Sequence, residues 1–182
     1  MHQPHSCYDA TSLSDGLSAL NQGKNKISFG KAKLGGDGIL ELASSLKKHP
    51  DVYWLGLFDC EATQYALGEL LTALKSNKSL THLDLGRNRE LGDTGVEMLC
   101  TFLAANRTVK ELYLWDMGIT DVGAKQLVAL LQKNRVIENL DVNDNPEISL
   151  NLKAEIAALV KQGPSRVPAS PRAAAAPSKT FA

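Results

Sequence analysis

The feature that most constrains this chain is an internal repeat of 28 or 29 residues, with units over 24–51, 52–79, 80–108, 109–136 and 137–162. Their fourth positions are Ile27, Leu55, Leu83, Leu112 and Leu140, and their sixth are Phe29, Leu57, Leu85, Leu114 and Val142. Two further slots hold Leu42, Leu70, Leu99, Leu127 and Ile156, then Leu46, Leu74, Leu103, Leu131 and Val160. The third and fifth units keep register only with one extra residue after an Asn, in Asn88-Arg-Glu-Leu91 and Asn145-Pro-Glu-Ile148. A period of this length marks a repeat array, because one short unit cannot bury its own apolar face whereas a stack shares one core.

Each unit changes period along its length. Its start alternates apolar and polar residues as a half-buried strand does, and its end spaces Leu by four as an amphipathic helix does. Between them lies a turn with Gly38, Gly95 and Gly123 in one slot, and Ala66 in its place in the second unit. Asp93 and Asp121 precede two of those glycines, where their carboxylates are expected to cap the helices. Asn77, Asn106 and Asn134 follow the helices, with His49 in that slot of the first unit.

Leu-x-x-Leu-x-Leu-x-x-Asn-x-x-Leu-Gly-Asp-x-Gly, read from Leu80 to Gly95, closely resembles the leucine-rich repeat of the ribonuclease-inhibitor type. That class of repeat also occurs in NOD-like receptors and the Ran GTPase-activating protein. The resemblance covers 24–162 and implies an α/β fold: a right-handed solenoid, or horseshoe, with a parallel sheet on the concave face and helices on the convex face. It implies little about the partner, since fold does not fix function. One departure is that Ala32, Cys60 and Met117 stand where Asn88 and Asn145 fill the Asn slot, so the hydrogen-bond ladder of the turns is expected to be interrupted.

Both ends of such a stack need covering. Leu13, Leu17 and Leu20 lie at helical spacing behind Thr11 and Ser12, so 11–23 is expected to be a capping helix after a disordered 1–10. Residues 163–182 are Pro-, Ala- and Ser-rich and are expected to be a disordered tail. This tail contains Arg166, Arg172 and Lys179 and no acid, a charge of +3 that leaves −3 for 1–162. Ser170-Pro171 is a phosphorylation-site pattern within it.

Twenty basic and twenty acidic residues cancel, which argues against the basic footprint of a nucleic-acid binder. No apolar run approaches the roughly 18 residues of a membrane span, and the N-terminus lacks the pattern of a secretory signal. Cys7, Cys60 and Cys100 are odd in number and unpaired in spacing, as in a reduced, cytoplasmic protein. A monomer without membrane or nucleic-acid partners is the expectation.

No constellation for catalysis or cofactor binding emerges. Gly35-Gly-Asp-Gly38 occupies the same slot as Gly92-Asp-Thr-Gly95 and reads as a repeat turn rather than a phosphate loop. His2, His5 and Cys7 lack a fourth metal ligand. His82 and Asp84 share a strand face without a nearby nucleophile and read as a polar surface pair. Neither an enzyme, a cofactor nor a metal is expected.

The concave face is where function is expected. Successive strands set equivalent residues side by side at about 4.8 Å. The rows are Lys26, Trp54, His82, Glu111, Asn139, then Ser28, Gly56, Asp84, Tyr113, Asp141. They continue with Gly30, Phe58, Gly86, Trp115, Asn143 and Lys31, Asp59, Arg87, Asp116, Asp144. Phe58 and Trp115 are expected to wall a slot about 10 Å wide floored by Gly86, with Trp54, His82 and Tyr113 around it. Exposed aromatics on a rigid surface are typical interface anchors. Glu111, Asp116, Asp141 and Asp144 make the far end acidic and suit a basic or aromatic partner segment. The Asp59–Arg87–Asp116 row also reads as a lateral ion-pair ladder.

The reading is therefore a non-catalytic protein-binding module, with Trp54, Phe58, His82, Asp84, Arg87, Glu111, Tyr113, Trp115, Asp116, Asp141 and Asp144 as binding residues. The alternatives are a GTPase regulator like the Ran GTPase-activating protein, a tropomodulin-like cytoskeletal protein, and a microbial effector acting on host proteins.

Overall fold

A computed structural model describes residues 7–30 and 32–163. The units are realised as strand, turn and helix in strict alternation. They comprise β1 (Tyr8–Asp9), α1 (Leu13–Asn21), β2 (Lys26–Ser28), α2 (Gly35–Leu46), β3 (Trp54–Gly56) and α3 (Gln64–Leu74). β4 (His82–Asp84), α4 (Gly92–Ala105), β5 (Glu111–Tyr113), α5 (Asp121–Lys133), β6 (Asn139–Asp141) and α6 (Leu150–Gln162) complete the chain order. The six strands form one parallel sheet in sequence order. Its register, Lys26 against Trp54, His82, Glu111 and Asn139, is the one the repeat alignment gives. Each helix is thus the crossover that a parallel pair requires.

The core is the set of repeat slots. Ile27, Leu55, Leu83 and Leu112 are fully buried, as are Leu42, Leu70, Leu99 and Leu127 from the helices. The extra residue after Asn88 and Asn145 loops outward, so Leu91 and Ile148 reach the same buried layer as Ala62 and Ile119.

Three features differ from the sequence expectations. First, the N-terminus holds a strand as well as a helix: β1 pairs with β2 through Tyr8 opposite Ile27 and Asp9 opposite Ser28. Tyr8 is fixed by its hydroxyl, which donates to Asp15 at 2.6 Å, and Gly16 lets α1 lie against the Phe29 ring. The end is a shortened repeat rather than a bare helix, and so part of the segment expected to be disordered is ordered.

Second, Asp93 and Asp121 do not cap their own helices. Asp93 reaches into the next repeat, where it accepts the Thr120 and Gly123 amides at 2.9 and 3.0 Å and the Thr120 hydroxyl at 2.6 Å. Asp121 likewise accepts the Ser149 amide at 2.6 Å. Each carboxylate therefore serves the orphan donors at the start of the following helix, the end that favours negative charge. α2 and α4 open instead on Gly35 and Gly92, both in the left-handed region, which donate to Cys60 and Met117 carbonyls of the next repeat. With its amide used in this way, Gly35 belongs to a repeat turn.

Third, the Asn ladder is sparse but complete where it occurs. Asn88 accepts the Cys60 and Ala62 amides and donates to Leu57, Leu85 and Gly86 carbonyls. Asn145 makes the same five bonds one pair of repeats later. One Asn thus bridges two loops, whereas the Cys60 side chain in that slot offers a thiol that donates to the Phe29 carbonyl at 3.1 Å and the Phe58 carbonyl at 3.5 Å. The Asn residues after the helices act differently from one another: Asn77 donates to the Val52 carbonyl at the start of its own repeat, Asn134 donates to the Leu103 carbonyl of the preceding repeat, and Asn106 bonds locally to Thr108 and Val109.

His2 and His5, Lys31, and the tail from 164 onward lie outside the described residues.

Candidate functional site

The turn after each strand builds the concave site. Ser28, Asp84 and Asp141 each accept, through their side chains, the amide two residues on. The chain then turns through a left-handed residue, at Asp59, Arg87, Asp116 and Asp144. Three of the four are Asp, which tolerates this region better than most residues, and Arg87 is the exception. The turn presents the residue before it, Phe58, Gly86, Trp115 or Asn143, onto the sheet.

The expected open slot over Gly86 is closed. The Trp115 indole lies on Gly86, where a Cβ would overlap it, and Phe58 lies on Gly30 in the same way. Each ring leans toward the preceding strand and fills the space its glycine leaves. The Phe58 and Trp115 ring centroids are 6.2 Å apart and tilted by 38°, a favourable aromatic contact. Trp54 folds over Gly56 on its own strand and carries the Lys26 ammonium 5.8 Å from its ring centroid. All three rings remain partly exposed. The result is an apolar strip on one face of the sheet, with Phe58 and Trp115 in contact and Trp54 beside them, in place of a cleft.

The polar residues are largely paired. His82 is bound to Glu111 at 2.9 Å, not to Asp84, and to the Thr81 hydroxyl at 2.7 Å. Tyr113 donates to the other Glu111 oxygen at 2.6 Å, and this bond, which holds the phenolic proton, is the main reason its pKa lies above the ordinary value. Arg87 sits between Asp59 at 3.5 Å and Asp116 at 3.9 Å, forming the lateral ladder. Arg89 binds Asp116 more closely, at 2.8 Å. It falls in the extra segment of the third repeat, which row counting does not reach, and so the sequence reading missed it. Exposed pairs of this kind contribute about 0–1 kcal/mol each. Their effect is to consume charge that would otherwise face a partner.

Asp84, Asp141 and Asp144 have no ion-pair partner among the described residues. Burial pushes the Asp84 carboxyl above its ordinary value, Asp141 adds to the shift, and the Gly86 amide opposes it. Its proton is therefore held more tightly in the folded than in the unfolded chain. Stability falls as pH rises from the ordinary value of 3.8 through the folded one, and the deficit persists above that window. Asp84→Asn keeps an acceptor for Gly86 but removes the charge. It is expected to raise the urea midpoint at neutral pH and to leave it unchanged well below pH 3.8. An equal shift at both pH values would show that the charge is not the cause.

Cys60 and Cys100 are packed into the repeat. Burial pushes the Cys60 thiol up to about 12 and the Cys100 thiol up to about 11, far from the thiolate that reactivity needs. Cys100 lines a groove of about 420 Å³ on the convex side between α4 and α5, with Thr101, Ala104, Gln126 and Leu130. Among the described residues no cluster of three or more His, Cys, Asp or Glu is arranged to hold a metal, and no helix is long and apolar enough to cross a membrane.

Similarity to known proteins tracks the repeat. The family profile described as Leucine Rich repeat matches residues 76–100. The NACHT, LRR and PYD domains-containing protein 9B of Mus musculus is 37% identical over 71% of this chain and 13% of its own length. Protein 13 of the same series, from Homo sapiens, is 32% identical over 73% of this chain and 13% of its length. Ribonuclease inhibitor of Sus scrofa is 32% identical over 71% of this chain and 27% of its length. The chain therefore spans well under a third of these relatives. Among solved structures, the leiomodin-1 actin-binding site 2 superposes with a TM-score of 0.69 over 82% of this chain and 88% of that one, at 15% identity. That likeness concerns the fold.

Proposed function

From the premise that this chain is a leucine-rich-repeat protein, related to ribonuclease inhibitor and to the repeat regions of the NACHT, LRR and PYD domains-containing proteins, we propose that it is a non-catalytic module that binds a partner protein on its concave face. The observation that carries this reading is the aromatic strip. Both tryptophans of the chain and Phe58 lie partly exposed on one rigid sheet face, seated on glycines. Rings held in this way lose little entropy on binding, so burying them under a partner yields most of the available free energy. Tyr113, His82 and Glu111 form a fixed polar border beside the strip, and Asp84, Asp141 and Asp144 are the charges left for a partner. Arg87 and Asp116 act here by closing the rim through their pairing. An intracellular setting goes with this reading, supported by three unpaired thiols.

The test is affinity capture from native lysate, comparing the wild type with a Phe58→Ala/Trp115→Ala variant of unchanged circular dichroism. Loss of a wild-type partner with the variant supports concave binding, and a loss of about 30-fold or more in affinity is expected for two such anchors. An unchanged set of partners refutes it.

A further inference from the structure

We propose that the groove between α3 and α4 docks a short acidic segment of a partner protein, with apolar side chains of that segment in the groove and its carboxylates on Lys75, Lys78 and Arg107. The groove is on the helical side of the molecule, away from the aromatic strip, and the proposal does not depend on concave binding.

Charge is placed unevenly along the chain. The segments at the helix C-terminal ends, 22–25, 47–51, 75–79, 106–110, 133–138 and 161–162, hold ten of the twenty basic residues and only two of the twenty acids. Cations suit helix C-termini, and Lys78 and Arg107 do reach carbonyls at their own helix ends. That role leaves most of the charge unanswered. The four central segments carry two cations each, and of these eight only Lys110 has an ion-pair partner among the described residues. Such a rim steers an acidic ligand and repels a basic one.

The groove opens on this rim. A cavity of about 300 Å³ lies between α3 and α4, lined by Leu71, Met98 and Phe102, and a second of about 410 Å³ continues it past Ala105 to Lys78 and Arg107. The two share Lys75, Thr101 and Phe102. Glu97 is the one carboxylate on these walls, and it stands at the opposite end from Lys78 and Arg107. Acids of a ligand therefore belong at the rim, and its apolar side chains belong against Leu71 and Met98. From Gly68 to Lys75 the groove follows α3 for about 10 Å, the length of three or four extended residues.

The occupant comes from another molecule. Residues 1–6, 31 and 164–182, which lie outside the described ones, contain no Asp or Glu. In a second copy, carboxylates of the opposite rim are already engaged. Asp93 and Asp121 hold helix amides, and Asp59, Glu61 and Asp116 pair with Arg87, Lys33 and Arg89. The lining offers no exposed ring on which a base could stack, Phe102 being buried, so a peptide fits it better than a single-stranded nucleic acid.

Methionine-methyl NMR on the full chain, titrated with the synthetic peptide Glu-Glu-Leu-Phe-Glu-Glu, tests this. Met98 lines the groove, and Met117 is fully buried and reports an intact core. The Met98 methyl signal is expected to shift, with Met117 and both Trp indole signals fixed. Affinity should be about tenfold or more weaker for Glu-Glu-Ser-Ser-Glu-Glu and for Lys75→Glu. Lys47→Glu, the same slot of the preceding repeat and likewise a helix-end residue, should change it by no more than about twofold, because exposed charges a repeat away are screened. A Met98 signal that stays put up to about 1 mM peptide overturns the proposal. Equal binding of the Ser peptide or of oligouridylate overturns it too, as does an equal loss in Lys47→Glu and Lys75→Glu. Indole signals that move with the peptide would place it on the concave face, and a Met98 shift driven by protein concentration alone would assign the groove to a second copy; either result contradicts the proposal.

Discussion

Asn88→Ala is expected to destabilise the protein by about 3–5 kcal/mol, the range for breaking a buried hydrogen-bond network. Asn88 is 2% exposed and serves five backbone groups in the loops of the second and third repeats. Alanine leaves the Cys60 and Ala62 amides and the Leu57 and Leu85 carbonyls to find water in a packed turn, the Gly86 carbonyl keeping the Asp59 amide, and Cys60 and Met117 on either side offer no replacement. Asn88→Asp should fare no better, since it keeps the acceptor but loses the donors and brings a charge inside. Asn139, exposed on the edge strand, is the control: its replacement by alanine should cost no more than about 0.5 kcal/mol. Urea unfolding followed by circular dichroism measures all three. A loss below about 1 kcal/mol for Asn88→Ala would mean that water enters the turns readily.

The second large effect concerns Gly86. Gly86→Val places a side chain where the Trp115 indole lies, and overpacking of this kind costs about 1–3 kcal/mol. The same substitution in a Trp115→Ala background should cost almost nothing, because the space is then empty. The coupling between the two sites is thus expected to be nearly the whole effect. Additive losses would place the indole elsewhere than on Gly86. Partner binding should fall with Gly86→Val alone, since the ring is lifted from its seat while remaining in the chain.

These residues also mark how far the sequence is legible. The fold is readable from the repeat because a buried slot that recurs in five registers admits one stack, and Leu55, Leu83 and Leu112 lie in the core as that requires. The rows across the sheet are readable for the same reason. What periodicity cannot convey is where a side chain goes after it leaves its row. Trp115 and Phe58 are in the expected row, yet each leans one strand back onto a glycine, because filling that gap gains contact that an open slot forfeits. Asp93 and Asp121 stand shortly before the turn glycine, which suggests a cap. They cap the neighbouring repeat, and only the stacking distance decides that. His82 prefers Glu111 to Asp84 because the residue directly across the strand pair is closer than the next one along its own strand. β1 is illegible because two residues, Tyr8 and Asp9, are too few for a pattern, and their order derives from Asp15 and the edge of β2.

The most direct test of concave-face binding uses the two tryptophans as reporters. The chain contains only Trp54 and Trp115, so a ¹⁵N-labelled sample gives two indole N–H signals, both from the strip. Titrating in the captured partner should shift or broaden both signals at the same partner concentrations at which the complex forms. A complex that forms with both indole signals unmoved places the partner elsewhere on the molecule and contradicts binding on this face.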